Sequence, residues 1–270
     1  MSPGFVPLED PPSFQRWAAA QWRRPNDSTI YGATEIDMTR ALALIERLRA
    51  EWGVHVTTTH LVTRALALAI ADNPRTNAKV RFWGKLERRT SVDLTVLVAG
   101  EGGIDLSAVR IAAADKLPLR ELCTEIIEVT ERIRRDEDPN FSQSRELVRR
   151  IPWWLMRPFL SVASLCMNEL HIDLEKLGLP IDLFGVAMVT SLGMHGIDEG
   201  FAPLTPLSRI MVDVLVPRVR DKVWVVDGQM VVRPTLKLCA TFDHRVVDGV
   251  QAATLGGAIH ALLTDPDRLL

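Results

Sequence analysis

The chain has little cysteine, and what it has is poorly placed for cross-linking. Its 270 residues include only Cys123, Cys166 and Cys239. An odd count without a C-x-x-C pair excludes a disulfide framework and points to reduced thiols in a cytoplasmic protein. Net charge is also scarce. A formal value of -2, with no basic cluster, removes nucleic acid as a partner. The opening MSPGFVPLEDPPSF lacks the charged-then-apolar order of a secretory leader. No run reaches the ~20 apolar residues of a membrane span. The nearest, Ile151 to Met167, is broken by Arg157 and Pro158. Gly100-Glu101-Gly102-Gly103 lacks the helix of a dinucleotide fingerprint and reads as a turn. There is no internal repeat or low-complexity linker.

What is present is ordinary globular composition, 47% hydrophobic and 24% charged. That length supports one large core, with decoration rather than a second domain. Residues 1–27 read as an N-terminal arm, with Trp17 and Trp22 on a short docking helix. A strand over Ser28–Asp37 precedes a helix that Asp37 caps, with the stripe Met38, Ala41, Leu42, Ile45 and Leu48. A second helix starts at Thr57–Thr59 and closes at Asn73-Pro74. Strands follow at Ala78–Trp83, Val92–Val98 and Val109–Ala113. Pro118 then opens a helix with the stripe Leu119, Leu122, Ile126, Val129 and Ile133.

Residues 136–183 form an apolar helical insertion. Arg149, Arg150 and Arg157 flank Trp153 and Trp154, a pattern suited to peripheral contact with lipid. A buried helix pair or an oligomer contact explains it more simply. The last third is rich in strands: Phe184–Ser191, Arg209–Val216, and a hairpin turning at Asp227-Gly228-Gln229. Leu236, Leu238, Ala240 and Phe242 alternate with polar residues, and that period carries His244 onto the apolar, inward face. A final helix starts at Gly249.

The chemistry concentrates in Thr241-Phe242-Asp243-His244-Arg245-Val246-Val247-Asp248-Gly249. An imidazole and a carboxylate stand four residues apart where a strand gives way to a helix. A histidine titrates near neutral pH, so it can take a proton from a thiol or hydroxyl and return it. Cys239 is close enough to be considered as a nucleophile, although a buried structural thiol accounts for it more simply.

The run D-H-R-V-V-D-G resembles the signature of the acyltransferase component of 2-oxo acid dehydrogenase complexes, within the chloramphenicol acetyltransferase type. Further blocks resemble that family in its own order: Ser28–Asp37, the helix from Leu61 to Ala71 with Asn73-Pro74, Thr190-Ser191-Leu192-Gly193-Met194-His195-Gly196, and the ending Asp265–Leu270. The resemblance spans residues 28–270 and implies a catalytic domain there. The fold it implies is α/β, a two-layer sandwich with a mixed, mostly antiparallel sheet flanked by helices.

By the same resemblance His244 is the general base and Thr190 donates to the oxyanion. Asp248 holds the loop, through an arginine, and Gly249 and Gly193 shape the backbone. The substrate is an acyl thioester of coenzyme A or a lipoyl group, with no covalently bound cofactor and no metal. The active site lies between subunits of a homotrimer or larger assembly, so His244 of one chain faces Thr190 of the next. Two departures stand out. Ser191 replaces the usual asparagine, and no lipoyl domain precedes the core. A stand-alone acyltransferase follows, one that uses a separate lipoyl carrier protein or free coenzyme A thioesters. The alternative is a non-catalytic oligomeric scaffold or regulatory homologue.

Overall fold

In the computed structural model, which describes residues 27–81, 84–99, 106–135, 151–172, 182–205 and 208–270, the chain starts on an edge strand. This is β1 (Thr29–Asp37), followed by helices α1 (Thr39–Trp52) and α2 (Thr58–Asp72). Then come β2 (Ala78–Val80), β3 (Leu86–Arg88), β4 (Leu94–Ala99), β5 (Leu106–Ile111) and α3 (Leu119–Arg134). After α4 (Trp153–Ser164) a wider turn of helix runs over Leu165–Glu169. The chain ends with β6 (Ala187–Ser191), β7 (Val212–Val216), β8 (Arg220–Val226), β9 (Gln229–Asp243) and α5 (Gly249–Thr264).

One sheet has the order β1-β9-β7-β6-β4-β5, with β8 pairing the outer half of β9. The β4–β6 and β6–β7 pairs are parallel, and the other pairs of this sheet are antiparallel. The short β2–β3 pair stands apart. The expected mixed, mostly antiparallel sheet with flanking helices is what the molecule has.

Period-2 alternation gives the sheet two unlike faces. Leu94, Val96, Ala187, Val189, Val212, Val214, Leu236 and Leu238 point to one side, where α1, α2, α3 and α5 bury them. Each such side chain contributes about 1.5–3 kcal/mol by leaving water. The opposite face carries Met188, Thr190, Asp213, Cys239 and Thr241. The segment between β6 and β7 closes over part of it, with Gly200 packed on Leu215 and Phe201 edge-on to Tyr31 at 5.2 Å.

Several boundaries differ from expectation for local reasons. The cap position of α1 is Met38 rather than the expected Asp37, whose carboxylate, one residue earlier, accepts from Thr39 N at 2.9 Å. The strand expected from Ala78 to Trp83 ends at Val80, because the chain turns back at once: Arg81 N donates to Lys85 O as the last rung, and Gly84, at φ 77, donates to Arg81 O at 3.2 Å. The strand expected to end at Ala113 ends at Ile111, since Ala113 has φ 46 and donates to Asp93. The two runs expected after the Asp227-Gly228 turn are one strand, β9, which passes through Pro234. β1 ends opposite Thr235, so no ladder partner on that side requires the missing N–H of Pro234. The turn itself has φ 51 at Asp227 and 77 at Gly228, the left-handed pair a tight hairpin needs.

The Trp17–Trp22 helix, the Gly100–Gly103 turn and residues 136–150 and 173–181 of the insertion lie outside the described residues. Within the insertion Trp154 and Val162 are exposed, while Met167 and Glu169 are buried. Among the described residues no helix is long and apolar enough to cross a membrane.

Candidate active site

β9 delivers the motif and ends at Asp243. There the chain turns: Val246 N and Val247 N both donate to Asp243 O at 2.9 Å. The strand period therefore stops one residue before His244, and the imidazole is exposed rather than facing inward. This corrects the sequence-based expectation. The ring is still fixed. His244 N donates to Ser28 O at 2.7 Å, and Nδ1 lies 3.1 Å from Val247 O. A carbonyl oxygen only accepts, so Nδ1 carries the proton of this bond, and in the neutral ring Nε2 then presents the lone pair.

Asp243 is the anchor of this turn, a role the sequence reading left unassigned. It is only 6% exposed. Its carboxylate accepts from Ser28 Oγ at 3.0 Å, from Arg245 N at 3.0 Å, and from Arg245 Nη2 at 2.6 Å. Burial pushes the carboxyl up, but the Arg245 guanidinium and N–H with the Ser28 hydroxyl outweigh it and hold it below its ordinary range. The arginine of the motif thus pairs with Asp243. Asp248 instead caps α5: it accepts from Gln251 N at 2.8 Å, and Gln251 Oε1 accepts from Asp248 N at 2.9 Å. Gly249 has open space around it and no left-handed φ, so nothing within one chain demands glycine there.

Thr190 sits at the other end of the sheet. Its hydroxyl donates to Asp213 Oδ1 at 3.3 Å. Asp213, 3% exposed, interrupts the otherwise apolar run of β7. Burial pushes its carboxyl up to about 6, against the Thr190 hydrogen bond. Thr241 stands directly across the ladder from Asp213, and its buried hydroxyl has no partner among the described residues. Gly193 follows closely: a Cβ there would lie 3.0 Å from Pro217 O, so any larger residue would push the two backbones apart by a few tenths of an ångström.

Thr190 is level with Leu215, and Leu215 with Cys239. His244 lies five residues beyond Cys239, or ~16 Å along the strand and two strand spacings across. One chain does not bring Thr190 and His244 together. Cys239 is fully buried, and burial raises its thiol, which leaves it structural. Among the described residues no group of His, Cys, Asp and Glu could hold a metal. An apolar cavity of about 430 Å³ separates β1 from α5, reaching from Gly249 and Phe242 to Leu66 and Ile259.

Comparison with known proteins places this arrangement. The family model for 2-oxoacid dehydrogenases acyltransferase (catalytic domain) matches residues 25–138 and 184–270. A lipoamide acyltransferase component of the branched-chain alpha-keto acid dehydrogenase complex from Pseudomonas putida is 28% identical over 237 residues, covering 86% of this chain and 46% of that protein. The Pseudomonas aeruginosa counterpart is 26% identical, covering 94% and 50%. The chain thus spans about half the length of these relatives. Among solved structures, a probable dihydrolipoamide acetyltransferase from Listeria monocytogenes superposes with TM-score 0.67 at 17% identity, covering 97% of this chain and 94% of that one. The cubic core of a pyruvate dehydrogenase multienzyme complex gives 0.66 at 20%, covering 98% and 99%.

Proposed function

Because the chain belongs to the 2-oxo acid dehydrogenase acyltransferase family, through the catalytic domain, we propose that it moves an acyl group between a thioester and an acceptor with His244 as general base. The observation that carries this reading is the Nδ1 bond to Val247 O, which leaves Nε2 free on an exposed, rigid turn.

Nε2 takes the proton of an incoming thiol, the coenzyme A or dihydrolipoyl type being the first candidates. The sulfur forms a bond to the acyl carbon, and the carbonyl oxygen gains the negative charge. Collapse expels the original thiolate, and Nε2 returns the proton to it. The transient oxyanion needs a donor fixed in advance, and Thr190 is the proposed one.

The separation of Thr190 from His244 within one chain supports a site shared between neighbouring subunits, in a homotrimer or larger closed assembly. Gly193 and Gly249 keep backbone roles in this proposal, and Asp248 caps the helix behind the base. A solved structure of the dihydrolipoamide acetyltransferase from Azotobacter vinelandii concerns the catalytic role of a serine, a histidine and an asparagine, the last two four positions apart. His244 and Asp248 have the same spacing. The acyl source is a thioester of coenzyme A or of a lipoyl group.

The test is a screen of acyl-coenzyme A donors for release of free thiol, with and without dihydrolipoamide, on wild type and His244→Ala. Turnover that falls about a hundredfold or more in the variant is expected. Equal turnover in both, or none with any donor and acceptor, overturns the proposal. Sedimentation of the wild type should show a trimer or a multiple of it.

A further inference from the structure

A second concentration of charge lies where the β2–β3 hairpin meets the start of β4. A polar cavity of about 480 Å³ opens there. Lys79, Arg88, Arg89 and Arg110 line it, facing Glu87, Asp93 and Asp182. Most of that charge is already committed. Arg89 grips Asp182 through Nε and Nη2 at 2.7 and 2.8 Å. Arg110 holds Asp93 at 2.5 Å. Glu87 is taken by Arg81 at 2.5 Å, with His171 Nε2 at 3.3 Å.

Two cations remain. Lys79 stands directly across the ladder from Glu87, yet Glu87 turns to Arg81 and His171 instead. The Lys79 side chain lines the cavity, is 6% exposed, and has no hydrogen-bond or ion-pair partner among the described residues. Burial draws its ammonium below the ordinary lysine range, against the attraction of Asp182. Arg88 stands exposed at the rim, beside Thr90. The Lys79 stem is buried while its ammonium opens to the cavity, where no carboxylate among the described residues reaches ion-pair distance. Two uncommitted cations and a hydroxyl suit a dianion.

We propose that this cavity is an anion subsite that takes a phosphate group of a phosphate-bearing ligand, with the Lys79 ammonium as its inner charge and Arg88 and Thr90 at its mouth. Its place in the sheet is informative. Asp243 N donates to Met211 O, Met211 N to Val186 O, and Val186 N to Asp93 O. The cavity is therefore at the same end of the sheet as His244, three strand spacings or ~14 Å across. The phosphate belongs either to a thiol carrier of the coenzyme A type, whose arm runs toward His244, or to a separate phosphorylated ligand. The subsite stands whether or not His244 is the base.

The experiment is calorimetric titration of the full chain with inorganic phosphate, coenzyme A, 3′-dephospho-coenzyme A and pantetheine. Wild type is compared with Lys79→Met and Arg88→Ala. Phosphate affinity should fall at least about tenfold in Lys79→Met and several-fold in Arg88→Ala. Lys79→Met should melt no lower than wild type in phosphate-free buffer, because it keeps the buried apolar stem and removes only a charge without an ion-pair partner among the described residues. Coenzyme A weakened in parallel, with pantetheine unaffected, assigns the phosphate to the carrier. Coenzyme A unaffected, while phosphate weakens, assigns it to a separate ligand. Phosphate binding that is absent in wild type or equal in all three proteins overturns the subsite. So does a Lys79→Met chain that melts lower than wild type while Arg88→Ala binds phosphate normally, since Lys79 would then be structural.

Discussion

The His244 turn and the Thr190–Asp213–Thr241 strip are both polar, and they are built in opposite ways. In the turn nearly every group is answered nearby: Asp243 by Ser28 and Arg245, Asp248 by Gln251, Nδ1 by Val247. In the strip, among the described residues, a buried carboxylate has one long hydrogen bond, and the hydroxyl across from it has none. A complete local network holds a side chain in one pose and leaves its reactive atom free. An incomplete one stores unsatisfied polarity, which a protein keeps at a cost. In the proposed reaction, the contrast means that the base is prepared within each chain and that the proposed oxyanion side is completed by what docks against it.

The largest effect should come from the base itself. His244→Ala should lower acyl transfer by about a hundredfold or more. The ring is exposed, so urea unfolding should change by no more than about 0.5 kcal/mol. A variant that unfolds instead would make the turn structural and break the contrast. Asp243→Ala comes next. It leaves Ser28 and Arg245 without their shared acceptor, so stability should fall by about 2–3 kcal/mol. Activity should drop with it, because the Ser28 end of β1 no longer clamps the turn. A shift in urea midpoint at constant slope checks this.

The turn was legible in the sequence because its information is contiguous. D-H-R-V-V-D-G holds the proposed base, the cap and the start of the helix in seven residues. The orientation of His244 was not legible. Alternation projects a side chain correctly only while the strand lasts, and β9 ends at Asp243. The role of Asp243 was hidden for a related reason, since its partner Ser28 is 215 positions away. Asp213 left one usable signal, a lone carboxylate inside the apolar run Arg209–Val216. Its pairing with Thr190 depends on the parallel β6–β7 register, which no local pattern encodes. Lys79 looks like any strand lysine until the ion pairs around it are seen to exclude it. The helices were the easiest part, because stripes such as Leu119, Leu122, Ile126 and Ile133 report one buried face directly.

Asp213 offers a pH test of the strip. Its carboxyl is raised to about 6 in the folded chain, mainly by burial. In the unfolded chain it takes the ordinary value near 4. Below that value both states hold the proton, and the group has no effect on stability. As pH rises from about 4 to about 6 the unfolded chain ionises first, so stability falls, and it stays lower above that window. Asp213→Asn cannot ionise. It should therefore be more stable than wild type at pH 7 by about 2 kcal/mol, and should lack the decline between pH 4 and 6. Melting curves of both proteins across pH 3.5–7.5 decide it. Parallel curves would mean that another group satisfies Asp213.

The smallest predicted effect separates what one chain needs from what an assembly needs. Gly249 opens α5 with free space at its Cβ position and an ordinary backbone. Alanine there restricts the unfolded chain more than glycine does and fits the helix, so Gly249→Ala should stabilise the isolated subunit by about 0.5–1 kcal/mol. If a neighbouring subunit or a substrate passes close to the His244 turn, the same methyl group should instead weaken assembly or raise KM while unfolding stays slightly improved. Calorimetry, sedimentation and initial rates on one variant separate these results. A variant improved in all three would show that nothing packs against the start of α5, and the shared site would have to lie elsewhere on the turn.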